Sequence, residues 1–241
     1  MKLALFGQGG MGSLVEARAR EAGHEIARVF TDRDAARPPQ DLARSLKEGG
    51  AAVAVDFSVG AAVPDHVRAC VLAGVPLVEG TTGWAKELEA VRRIVTDAGG
   101  ALVYGPNFSV GVNLFYRIVR VAAEQFARDP SYGNGAFVEE AHHIRKKDAP
   151  SGTALKLKDI VAKSFGSVSV ASTRAGNIPG THRVGFDGLA DQITLTHTAR
   201  SREGFAAGAL LAARWIVGRT GVWEFSEVLD EILGSGRESR G

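Results

Sequence analysis

The chain of 241 residues carries a single cysteine, Cys70. That excludes an internal disulfide framework and any cysteine-based zinc cluster, and it makes a reducing compartment the expected setting. With Val67, Val71 and Leu72 beside it, Cys70 reads as a core residue. Aromatic residues make up only 7% of the sequence, and the formal charges nearly cancel at +2. A basic tail or a basic stripe interleaved with aromatics is lacking, so nucleic acid is not an expected partner. No apolar run approaches the ~20 residues of a membrane span. The N-terminal run from Leu3 to Phe6 goes straight into glycine and is too short for a signal peptide, so a soluble, cytoplasmic protein with no membrane partner is expected. The six histidines fall in no cluster with metal-ligand spacing, and no metal is expected. Repeats and low-complexity blocks are lacking as well.

Glycine, by contrast, is plentiful at 30 residues. The strand-like run Lys2 to Phe6 leads into Gly7-Gln8-Gly9-Gly10-Met11-Gly12, a helical pattern follows to Ala22, and a second strand pattern, Glu25 to Phe30, ends at Thr31-Asp32-Arg33. Gly-x-Gly-x-x-Gly between a strand and a helix, with an acid about twenty residues on, is the full context of a dinucleotide fingerprint. Gly7 suits the tight turn, Gly9 the approach of backbone to a pyrophosphate, and Gly12 the close packing of helix on strand. Asp32 can accept hydrogen bonds from ribose hydroxyls, which favours NADH. Arg33 could instead hold a 2′-phosphate, which leaves NADPH open.

From Asp34 to Gly50 the sequence is polar, contains Pro38-Pro39, and reads as a surface connection with one weak helix. Strand patterns at Val53 to Phe57, Pro76 to Glu79 and Ala101 to Tyr104 alternate with helical patterns at Ala61 to Ala73 and Lys86 to Ala98. This α/β alternation predicts a doubly wound parallel sheet. Gly80-Thr81-Thr82-Gly83 and Gly105-Pro106-Asn107-Phe108-Ser109 fall at carboxyl ends of its strands, where such sheets bind ligands. After Ser109 the pattern changes. A long helix from Val110 to Phe126 is followed by strand-like runs at Ala136 to Glu140, Val168 to Arg174, Arg183 to Asp187 and Asp191 to Thr198. The last three have no long helices between them, which predicts a second α+β domain with a mixed, largely antiparallel sheet whose uncovered face favours self-association. The glycine-rich segment Arg174 to His182 reads either as an ordinary loop or as part of a site. Helices are expected at Gly204 to Val217 and Glu224 to Leu233, with a frayed tail from Gly234. His24, His66 and His197 read as structural.

Chemistry concentrates between Glu139 and Leu155. In an extended segment His142 and His143 point opposite ways, so one can face a ligand while the other is packed. Lys146, four residues on, puts a cation beside a proton carrier. Asp148 or Ser151 can cap the helix that follows, which places Leu155, Leu157, Ile160 and Val161 on its apolar spacing. The amides of Gly152 and Thr153 would then lie at a helix N-terminus, suited to a carboxylate or phosphate.

The pattern Glu-x-His-His-x-x-Lys-x-Asp-x-Pro-Ser-Gly-Thr-Ala, here Glu140 to Ala154, resembles the signature of the 4-hydroxy-tetrahydrodipicolinate reductases, formerly dihydrodipicolinate reductases, of the diaminopimelate route to lysine. Gly80 to Gly83, Asn107 to Asn113 and the Arg174 to His182 loop fall where that family has similar segments. The resemblance implies a Rossmann-like domain, residues 1–108 and 203–241, joined by hinges near Ser109 and Arg202 to a substrate-binding and oligomerisation domain, residues 109–202, in a homotetramer. It implies a small dicarboxylate imine as substrate, reduced with NADH or NADPH. It implies His142 as general acid or base, Lys146 as proton donor, and His143, Gly152 and Thr153 as carboxylate ligands. Gly7 to Gly12, Asp32, Gly80 to Thr82 and Gly105 to Phe108 match its cofactor-contacting segments. Three departures stand out. The first loop is one residue shorter than the family's usual Gly-Arg-Met-Gly form and lacks its arginine, Arg145 stands where a third histidine is common, and the segment from Asp32 to Val53 is short, a difference expected to touch only the periphery.

Overall fold

The computed structural model describes residues 1–34 and 36–238. In chain order its elements are β1 (Lys2–Phe6), α1 (Gly10–Glu21), β2 (Glu25–Phe30), α2 (Pro39–Gly49), β3 (Val53–Asp56), α3 (Val63–Ala73), β4 (Leu77–Glu79), α4 (Leu88–Asp97) and β5 (Ala101–Tyr104). There follow α5 (Val110–Phe126), β6 (Ala136–His142), α6 (Gly152–Phe165), β7 (Ser169–Arg174), β8 (Thr181–Asp187) and β9 (Gln192–Thr198), then α7 (Glu203–Ile216), β10 (Gly221–Glu224) and α8 (Phe225–Glu238). The chain divides into two compact units, Met1–Val110 with the segment from Arg202 onward, and Gly111–Ser201.

The first unit holds a wholly parallel sheet in the order β10-β5-β4-β3-β1-β2. Its central strands are short buried runs, apolar as strands covered on both faces must be except for the acids Asp56 and Glu79 that end β3 and β4. One face, with Leu3, Leu5, Val55, Val78 and Val103, packs on α1, α7 and α8. The other, with Ala4, Phe6, Ala54, Leu77 and Leu102, packs on α2, α3 and α4. Three expectations are corrected here. The Asp34 to Gly50 segment is no mere surface connection, because α2 buries Leu42 and Leu46 in the core. Polar residues dominate its composition only because the other side of a strongly amphipathic helix faces water. β10, four residues long, supplies a sixth strand that its brevity concealed. The tail does not fray at Gly234, since α8 runs on to Glu238; the rest of that expectation, 239–241, lies outside the described residues.

The second unit is a mixed sheet, β7-β6-β8-β9, in which β6 pairs parallel with β7 across the α6 crossover and antiparallel with β8, and β8 pairs antiparallel with β9. α5 and α6 cover one face: Phe115, Val119, Ala123, Ala154, Leu157 and Val161 pack with Val138, Val184 and Phe186. Leu155 departs from its expected inward place and is 44% exposed, because Ala154 takes the position beside Leu157 and Val161. The opposite face is left half-covered, and along β9 exposed and partly exposed residues alternate.

Candidate active site

In the first unit the loop after β1 is shaped by what glycine lacks. Gly7 has φ +92°, and a Cβ there would stand 2.5 Å from the Phe57 carbonyl oxygen. A Cβ on Gly12 would lie 2.0 Å from the Gly7 oxygen, so α1 can press on β1 only with glycine at that turn. Gly9 faces open space and begins α1 without a side-chain cap, which leaves the first amides of the helix to an outside acceptor. Gln8 and Gly10 are exposed and Met11 is half-buried. An open cleft of about 520 Å³ is lined by Gln8, Gly9, Thr31, Asp32 and Arg33. Bare helix amides at one end and Asp32 and Arg33 at the other fit the pyrophosphate and ribose of a dinucleotide.

In the loops after β4 and β5, several side chains are turned to the protein interior. Thr81 is buried; its amide donates to Glu79 Oε1 at 2.6 Å and its hydroxyl to Asp56 Oδ1 at 3.2 Å, so its side chain serves the protein interior. Thr82 and Pro106 are exposed and Gly80 is half-buried. Phe108 is core, its ring packed on Phe57 and Phe225, and Gly105 lies buried against Phe225. Asn107 Oδ1 accepts from the Ser109 amide at 2.8 Å. From Thr81, Gly105 and Phe108, only main-chain groups are left to meet a ligand.

In the second unit the alternation of β6 puts Val138, Glu140 and His142 on the buried side. The Glu140 carboxylate accepts from Arg174 Nη2 at 2.7 Å and the Ser151 amide at 3.3 Å with one oxygen, and from His142 Nδ1 with the other. Burial alone would raise the Glu140 acid, but the Arg174 guanidinium, Ser172 and the neighbouring imidazole hold it below the ordinary glutamate range. Glu140 is therefore an acceptor only. His142 Nδ1 must carry the hydrogen, and in the neutral imidazole Nε2 is left as a free base. Burial lowers the His142 pKa, Glu140 opposing and Lys146 and Arg174 assisting. Gly180 lies beside the ring, where a Cβ would come within 3.2 Å of Nε2.

Around this imidazole stand the other expected residues. Lys146 Nζ is 2.7 Å from Asp148, which pairs with the lysine and does not cap α6. Ser151 is the cap, its Oγ accepting from the Ala154 amide at 3.2 Å. Gly152 is exposed, and with Thr153 it supplies the first amides of α6, which have no acceptor within the helix. Burial raises the pKa of Tyr116 on α5, and the Thr153 side chain beside it opposes the rise. His143 is half-buried and its Nδ1 is without a protein partner among the described residues. Arg145 reaches Asn177 at 3.1 Å.

Models of the dihydrodipicolinate reductase N-terminus and C-terminus match residues 1–108 and 111–229. The 4-hydroxy-tetrahydrodipicolinate reductase of Christiangramia forsetii is 32% identical over 247 residues, 97% of this chain and 99% of its own. This chain belongs to the dihydrodipicolinate reductase family. The family's enzyme from Methanosarcina barkeri is 36% identical over 228 residues, 87% of this chain and 84% of that one. Among solved structures, the dipicolinate-bound dihydrodipicolinate reductase from Paenisporosarcina sp. TG-14 superposes with a TM-score of 0.76 at 19% identity, covering 95% of this chain and 99% of that one, and it shares the fold.

Two side chains of this candidate site, Glu140 and Ser151, were read from the sequence only as part of the signature and as a cap, and two more, Arg174 and His182, only as the ends of a segment left open between loop and site. Glu140 was within reach, because period-two spacing puts it on the same face as His142. The partners of Arg174 and His182 were not, since these two residues arrive through strand pairing: His142 is the register partner of Arg174, and Glu140 that of His182. His182 stands edge-on to His142 with ring centroids 5.1 Å apart and meets Ser151 Oγ through Nε2 at 3.1 Å. Burial, with His142 next to it, pushes its pKa down to about 4. Glu140, His142 and His182 also bring three potential donor atoms within 4.8 Å of one another, a grouping that sequence spacing did not suggest. The Arg174 guanidinium on Glu140 already supplies the cation such a group would attract.

Proposed function

We propose that this chain reduces 4-hydroxy-tetrahydrodipicolinate to tetrahydrodipicolinate with loss of water, using a reduced nicotinamide dinucleotide, in the diaminopimelate route to lysine. The observation that carries the reading is the His142 site: an imidazole whose proton is placed by Glu140, beside Lys146 and the open amides of α6. The substrate is a cyclic imine with two carboxylates. Loss of its hydroxyl as water leaves a conjugated acceptor, which takes a hydride at ring C4 and a proton at the adjacent carbon. When bound, the nicotinamide supplies the hydride. The protein's own task is charge and protons. The Gly152 and Thr153 amides and His143 hold carboxylate oxygens, and the Lys146 ammonium offsets the negative charge and gives the proton. His142 Nε2, free as a base, withdraws the ring proton and returns it to the departing hydroxyl, which leaves as water. A positioned acid or base of this kind contributes about 10² to 10⁴ in rate.

NADH is used at least as well as NADPH, a reading supported by Asp32 in the cleft and by the missing loop arginine. Binding titrations in which NADPH is about tenfold tighter, ~1.4 kcal/mol, would refute it and point to Arg33. Assembly as a homotetramer belongs to the same reading and is supported by the half-covered face of the second unit's sheet. The deciding experiment follows the reduced-nicotinamide absorbance with the product of a dihydrodipicolinate synthase made in the same cuvette. Decay should require this protein and fall at least about 10²-fold in His142→Ala and Lys146→Ala, while the dissociation constant for NADH stays unchanged. Undiminished turnover in either variant would remove that residue from its role.

A further inference from the structure

Two carboxylates lie buried side by side at the carboxyl edge of the first unit's sheet. Asp56 ends β3 and Glu79 ends β4; they are register partners, and both are 0% exposed. Register partners in adjacent strands face the same side, here the side covered by α3. Asp56 is amply supplied with donors: the Ser58 amide at 2.8 Å, the Thr81 hydroxyl at 3.2 Å and His66 Nδ1 at 2.6 Å. Glu79 has one, the Thr81 amide on Oε1 at 2.6 Å, and its Oε2 is buried without a partner among the described residues. Burial on adjacent strands makes a second negative charge at this place costly. The one with fewer donors keeps its proton, and that is Glu79. Burial pushes its acid well above the ordinary range, the Asp56 charge adding to the effect and Thr81 partly offsetting it. The other titratable groups facing the pair come from α3, where His66 is stacked on Phe6 at 4.2 Å and the Cys70 thiol is itself pushed up by burial and both acids, and from β5, where Tyr104, the other register partner of Glu79, accepts from Arg92 of α4 at 2.7 Å.

This cluster ties together segments that approach the dinucleotide loop. Ser58 N–H also donates to Thr81 Oγ1 at 3.0 Å, Gly80 N–H to the Asp56 carbonyl at 2.9 Å, and Trp84 Nε1 to the Thr81 carbonyl at 2.8 Å. The Phe57 ring lies over Gly80, where a Cβ would come within 2.2 Å, and the Phe57 carbonyl crowds Gly7. Whatever fixes Thr81 therefore fixes Phe57, and Phe57 bounds the turn at Gly7.

We propose that Glu79 is a positioning residue for dinucleotide binding: held as the neutral acid, it donates from Oε2 to Asp56 and locks the Phe57-Ser58 turn to the Gly80-Thr81-Thr82 loop beside Gly7. It rests on the assignment of these loops to the cofactor. The arrangement explains why a glutamate can end a buried strand at all, since its orphaned oxygen becomes a donor and the pair carries one charge in place of two.

The test is a fluorescence titration of the whole protein with NADH from about pH 6 to about pH 10, for wild type, Glu79→Gln and Glu79→Ala. Glutamine keeps both the acceptor and the donor without needing a proton. Glu79→Gln should bind within about twofold of wild type at neutral pH, and Glu79→Ala about tenfold more weakly. Wild-type binding should weaken at high pH as Glu79 ionises, and Glu79→Gln should not follow it. Alanine binding like wild type, glutamine as weak as alanine, or the same alkaline fall in wild type and Glu79→Gln would each overturn the proposal. A readout independent of cofactor is the infrared spectrum at neutral pH, where wild type should show a protonated-carboxyl band absent from Glu79→Gln; no such band overturns the proposal too. Wild type that binds neither NADH nor NADPH would remove the cofactor reading and this proposal with it.

Discussion

His142 depends on two residues that never need to touch a substrate. Glu140 fixes which nitrogen holds the hydrogen, and Arg174 keeps Glu140 ionised in a place where burial would protonate it. In Arg174→Gln that opposing charge is gone, so Glu140 takes up a proton at higher pH and can no longer serve as a pure acceptor. The acidic limb of the kcat profile should move to higher pH, with the KM for NADH unchanged. An acidic limb that stays in place would show that Glu140 is not held by Arg174. His142, Lys146, Gly152 and Thr153 were legible in the sequence because their chemistry lies within a dozen residues. The segment from Arg174 to His182 was legible only as either a loop or part of a site, because only the pairing of β6 with β7 and β8 brings its two ends to Glu140 and His142. Lone basic residues in a glycine-rich stretch give no local sign of such a partner.

The N-terminus of α6 carries two duties on one hydroxyl. Ser151 Oγ accepts from the Ala154 amide, which leaves the amides of Gly152 and Thr153 free for a carboxylate, and it meets His182 Nε2. Ser151→Ala removes a cap and leaves a buried imidazole nitrogen without its partner. The cap alone is worth about 0.5–2 kcal/mol. Urea unfolding should show that loss, and the KM for the dicarboxylate should rise while NADH affinity holds; unchanged stability would mean that water replaces the cap. The helix itself was readable because Pro150-Ser151-Gly152 is a start signal followed by apolar spacing. α2 and β10 were not. α2 hides Leu42, Ala43 and Leu46 among charges in an otherwise polar stretch, and β10 has four half-buried residues, too few for a period to emerge.

Across the molecule, pH acts on two sets of buried groups with opposite signs. Burial lowers the pKa values of His24, His142, His182 and His197. Below about pH 6.5 the unfolded chain binds protons that these imidazoles refuse, so unfolding takes up protons and stability falls as pH falls. For His182 this continues until its native pKa, about 4. Glu79 works the other way: above the ordinary glutamate range the unfolded chain has released a proton that the native protein retains, so stability falls as pH rises. Between about pH 4.5 and 6.5 four histidines oppose one glutamate, and the acid loss should dominate; above neutrality the histidines no longer titrate in either state and Glu79 sets the slope, joined at alkaline pH by the Cys70 thiol, which burial also pushes up. Urea midpoints measured against pH should therefore fall on both sides of a maximum near neutrality. In His182→Gln the acidic limb should be shallower, because one proton fewer is taken up on unfolding, whatever the substitution does to the level at the maximum. An unaltered slope would mean that His182 is protonated in the native protein, and the neutral imidazole beside His142 would have to be abandoned.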